Sequence, residues 1–102
     1  MTKSFTFFSD PGHAWLKVNE TDAQALGLTP DDFSTFSYLD GFTKTGAWYF
    51  LEEDCDAPVF LQAYEKKHGH LPTIKERHAK TTRIRDLISI GMRHQKNIGV
   101  RT

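Results

Sequence analysis

Two β-prone runs, residues 5–8 and 14–18, flank Ser9-Asp10-Pro11-Gly12-His13. Pro11 presets φ, and Gly12 would accept the positive φ of a type II turn, so the stretch predicts a β-hairpin near the start of the chain. A hairpin is marginal in water unless its apolar face is covered, so the remaining residues must supply that cover. Within the second run Ala14, Leu16 and Val18 point one way and Trp15 and Lys17 the other. The first set is assigned to the core, and Trp15 to the exposed side.

The clearest boundary lies further on. Asp56 is placed to cap a helix with Pro58 in its first turn and Ala57, Phe60, Leu61 and Tyr64 along one face. Lys66, Lys67 and His68 suit the negative end of its dipole, and Gly69 ends it. A short helix is expected over 21–26, closed by Gly27. One further turn should follow, with Thr29 as N-cap and Pro30 at its first position. Strands are expected at 36–39 and 47–52, joined by a longer loop over 40–46. Residues 72–78 read as a charged strand at a sheet edge, and 82–94 as a final helix with Ile84, Leu87, Ile88 and Met92 on one stripe. Fraying is expected from about residue 95. The order ββαββαβα predicts a single α+β domain over residues 1–102: an antiparallel sheet of about four to five strands with helices on one face.

At 102 residues and 38% apolar content, one core is expected. No apolar run approaches the roughly 18 residues needed to cross a bilayer. The chain is therefore expected to be cytoplasmic, with no membrane association, and the single Cys55 fits a reducing compartment. Charge is unevenly divided: 3 Lys+Arg against 10 Asp+Glu in residues 1–64, and 10 against 3 in 65–102. Either the surface has an acidic and a basic pole, or the two halves pair their charges internally. An edge strand or the opposed poles would also permit a homodimer.

Residues 7–18 (FFSDPGHAWLKV) and 49–57 (YFLEEDCDA) resemble the signature of a family of small, mostly uncharacterised proteins encoded on bacterial plasmids and phages. Arg77-His78 and Thr82-Arg83-Ile84-Arg85 are similar to that family's C-terminal part. The resemblance implies an accessory protein of a mobile genetic element that acts by binding host or defence components, and it carries no catalytic roles with it.

Three function classes follow from the residues. The first is a binding protein without chemistry that engages a host or defence-system protein through His13, Trp15 and Trp48 together with Lys75, Arg77, Arg83 and Arg85. The second is a nucleic-acid-binding protein, or one that meets another anion, through the basic C-terminal segment. The third is a small enzyme using Asp10 and His13 with the cluster Glu52, Glu53, Asp54 and Asp56 around Cys55. Asp56 as an N-cap and Asp54 near the positive end of the helix dipole explain much of that cluster, and its carboxylates disfavour a Cys55 thiolate. His68, His70 and His78 lack the cysteine partners of a structural zinc site. No metal and no cofactor is expected, and no catalytic residue is assigned.

Overall fold

The first hairpin is closed by a side chain rather than by glycine. The buried Asp10 carboxylate accepts hydrogen bonds from the N–H groups of Gly12 (2.9 Å) and His13 (3.0 Å), and the Asp10 N–H donates to the His13 carbonyl at 2.9 Å. Gly12 does not take a positive φ, so the expected type II turn is absent. A carboxylate that satisfies two successive N–H groups removes the need for one.

The computed structural model describes residues 3–79, 84 and 87–89. Strands β1 (Ser4–Ser9) and β2 (Ala14–Asn19) form the hairpin. Helix α1 (Glu20–Ala25) follows directly, with the Asn19 side chain accepting from the Thr21 N–H at 2.8 Å. A 3-10 turn at Pro30–Asp32 carries the expected Thr29 cap, reinforced by the Asp32 carboxylate reaching back to the Thr29 N–H. Strands β3 (Tyr38–Thr43) and β4 (Gly46–Glu52), helix α2 (Ala57–His68), strand β5 (Thr73–His78) and the two-residue β6 (Ile88–Ser89) complete the described chain.

The sheet runs β5-β1-β2-β4-β3-β6 and the class is α+β. Every pairing is antiparallel except β1 with β5. The exception follows from connectivity. Both β1 and β4 are antiparallel to β2, so they run the same way. A chain leaving β4 through a helical crossover is set down parallel to it. α2 is that crossover, and β5 lands at the edge beside β1, as its Pro72 and charged residues anticipated.

One face of the sheet carries both helices. Phe5, Leu16, Val18, Leu39, Tyr49 and Leu51 pack there against Ala23 of α1 and against Ala57, Phe60 and Tyr64 of α2. Phe5 meets Phe60 edge-on at 5.1 Å between centroids. The end of α2 is as expected, with Gly69 at φ 81° in the left-handed cap and its N–H on the Glu65 carbonyl at 2.8 Å.

Four expectations are corrected. Trp15 is not exposed but 1% accessible, because the opposite face is covered as well: Trp15, Phe50 and Ile84 form a second core with Phe8, Tyr38, Trp48 and Leu87 around it. Residues 40–43 are strand rather than loop. The hairpin turns on Lys44-Thr45 with no non-glycine residue at positive φ, and Gly46 takes φ 103° immediately after. Phe36, expected to start a strand, lies in the turn before β3. Finally, Ile88 and Ser89 pair with Leu39 and Tyr38 of β3 instead of continuing a helix. The remainder of the expected helix over 82–94, apart from Ile84 and Leu87, lies outside the described residues.

Candidate functional site

Strand pairing brings together two segments that are far apart in sequence. Trp15 of β2 sits opposite Glu52 of β4, and the Glu53 N–H donates to the Ala14 carbonyl at 3.1 Å. The tip of the first hairpin and the turn after β4 therefore share one end of the sheet. Between them lies a cavity of about 300 Å³ lined by His13, Trp15, Phe36, Tyr38, Glu52, Asp54 and Cys55.

The aromatic wall is ordered from within. The exposed His13 ring stacks on Trp15 at 5.7 Å with a 23° interplanar angle, and Trp15 meets Tyr38 edge-on at 6.3 Å. Phe36, 63% accessible, stands at the rim.

The acidic cluster divides by burial. Glu52, 8% accessible, accepts from the N–H groups of Asp54 (2.9 Å) and Cys55 (2.8 Å), closing the turn before α2. Asp56, 3% accessible, stands at the N-cap position with αR dihedrals and makes no cap hydrogen bond. Its carboxylate instead accepts from the Ser34 N–H (2.9 and 3.0 Å), the Ser34 hydroxyl (2.7 Å) and the Ser37 hydroxyl. The Ser37 oxygen in turn accepts from the Glu52 N–H at 2.8 Å. A buried carboxylate needs donors in proportion to its desolvation, and two serines with a backbone N–H supply more than one cap bond would. Asp54 and Glu53 are exposed.

Cys55 is exposed beside these groups. Loss of water around the thiol pushes its pKa up, the hydrogen bond with Glu52 adds to this, and the charges of Glu52, Asp56 and Asp54 act the same way. A thiol so placed is a weak nucleophile. Its alkylation by iodoacetamide should be slower at pH 8 than that of a cysteine peptide, with the rate inflecting at higher pH. Glu52→Gln should move the inflection back down, and a profile matching the free peptide would contradict the arrangement.

The basic candidates lie elsewhere. Lys75 and Arg77 are exposed on β5 and share the sheet face of Thr6 and Phe8, their partners in β1. Trp48 is half-buried on that face, its indole N–H donating to the Thr45 hydroxyl at 2.8 Å and the Lys17 ammonium 4.5 Å from its ring centroid. Arg83 and Arg85 lie outside the described residues. Among the described residues the one ion pair is Lys3 with Asp22 at 2.6 Å, so no ion pair there joins the acidic half to the basic half. His68 and His70 cluster with Tyr64, their ring centroids 4.4 and 6.0 Å from its ring and 6.3 Å from each other, and no group of three His, Cys, Asp or Glu among the described residues could hold a metal ion. No described helix is long and apolar enough to cross a membrane.

Sequence reasoning picked out His13 and residues 52–56 but not Phe36, Tyr38, Ser34 or Ser37. The cluster Phe33-Ser34-Thr35-Phe36-Ser37 was the available signal, since paired aromatic and hydroxyl residues outside a helix suit a packed turn. No protein-family profile, curated protein or solved structure matches the chain.

Proposed function

We propose that this chain is a non-enzymatic accessory protein of a mobile genetic element that binds and modulates a host or defence-system protein through the His13 cavity. The observation that carries the reading is the cavity's make-up: a stacked His13–Trp15 wall, an exposed Phe36 rim and carboxylates behind. Aromatic walls with an acidic end suit an arginine or lysine side chain presented by a partner, held by stacking and by charge. The two buried carboxylates of the acidic cluster are already committed, Glu52 to backbone N–H groups and Asp56 to serines, which favours binding over acid–base chemistry at this site.

Tagged protein incubated with lysate of the natural host should retain a stoichiometric partner. His13→Ala and Phe36→Asp should each weaken that capture at least about tenfold, as truncation of a central anchor does. Both positions are exposed, so thermal midpoints should be unchanged. Retention indifferent to both substitutions, or no partner at low and moderate salt, would overturn the reading.

A further inference from the structure

On the sheet face opposite the helices, the pairing register lays side chains in rows across strands. Lys75, Thr6, Lys17, Phe50 and Tyr38 form one row, and Arg77, Phe8, Trp15 and Glu52 the next. Ile84 and Leu87 pack onto the aromatic part of this face. Toward the β5 side lies a groove of about 400 Å³, whose lining includes Lys3, Thr6, Phe8, Lys17, Trp48 and Arg77.

We propose that this groove binds single-stranded nucleic acid, with Lys17, Lys75 and Arg77 meeting phosphates and Trp48 and Phe8 stacking on bases. Charge points first to an anion. Lys3 is neutralised by Asp22, whereas Lys17, Lys75 and Arg77 make no ion pair among the described residues. Of the carboxylates on this face, Glu52 is bonded to its own turn and Asp22 to Lys3, while Asp40 stands across Trp48 on β3, the side away from β5. The rings narrow the choice, because a simple anion has no use for them, whereas a nucleotide presents a charge and a planar face together. Trp48 is held ready by its bond to Thr45, with a cation already at its ring. Lys75 and Lys17 stand two strands apart, about 10 Å, so the cations flank a shallow strip in which Thr6 and Phe8 form the floor. A single strand can lay bases on such a strip, while a duplex keeps them stacked inside. The groove shares no lining residue with the His13 cavity, so either site can fail without the other.

The test is fluorescence anisotropy of a labelled oligothymidylate, roughly 12 nucleotides long, titrated with the full chain. Binding should weaken between about 50 and 200 mM salt with a log–log slope near −2, three phosphate contacts at about 0.7 each. Lys17→Ala and Arg77→Ala should each reduce that slope by about 0.7, and Lys17→Arg should restore it. Trp48→Phe should abolish the quenching of tryptophan emission on binding, since Trp15 is buried, and Trp48→Ala should cost about tenfold in affinity. Duplex DNA of equal length and polyglutamate should each bind at least about tenfold more weakly. No binding near 50 mM salt, equal affinity for duplex or polyglutamate, or wild-type affinity in both alanine variants of the cations would overturn the proposal.

Discussion

Replacing Asp56 with alanine is expected to lower the free energy of unfolding by about 3 kcal/mol, read from urea denaturation at neutral pH. The carboxylate accepts from one backbone N–H and two hydroxyls at a position 3% accessible to water, and alanine leaves all three donors unsatisfied. Hydrogen bonds to a charged group contribute roughly 1.5–3 kcal/mol each and are not additive, which sets the scale. The loss would also spread. Ser37 links Asp56 to the Glu52 N–H, so the turn leading into β3, the end of β4 and the start of α2 would loosen together. Asp56→Asn keeps an acceptor oxygen and should fall between the two. A cost below about 1 kcal/mol for the alanine variant, the size of a lone cap interaction, would show that the serine network does not hold this junction together.

Trp15→Ala is expected to cost about 3–5 kcal/mol, the range for removing a large buried aromatic. The side chain is 1% accessible, joins the second core with Phe50 and Ile84, and supports both His13 and Tyr38. Any partner binding through the His13 cavity should be lost with it, because the imidazole would have nothing to stack on. Trp15→Phe fills part of the space and should recover over half of the stability. Equal denaturation midpoints for wild type and the alanine variant would mean that the opposite face is not a core.

Local signals made the hairpin and α2 legible. Pro58 in the first turn, Gly69 at the end and Lys66, Lys67 and His68 between them each act over one turn of backbone, so they mean the same thing in any fold. The edge position of β5 was legible for a similar reason, since exposed charges on both faces suit a strand with one neighbour. Residues 40–46 misled because Gly41 and Gly46 look alike in sequence. One lies within β3 and the other closes a tight turn. Ile84, Leu87 and Ile88 fit a helical stripe, yet Ile88 and Ser89 pair with β3, where an open edge offered backbone partners that no periodicity records.

The amino-acid order alone settled which side chains of β2 face together, since alternation is a property of extended backbone, and it settled where α2 begins and ends. It left open whether the far side of the sheet meets water, and so misplaced Trp15. It likewise left open whether Asp56 serves its own helix or a loop some twenty residues earlier. Those questions were decided by strand pairing and by the cover over the second face. Burial and long-range hydrogen bonding depend on which segments are brought into contact, and neighbours in sequence do not specify that. The His13 cavity and the cationic groove belong to the same category, each assembled from strands that meet only in the folded sheet.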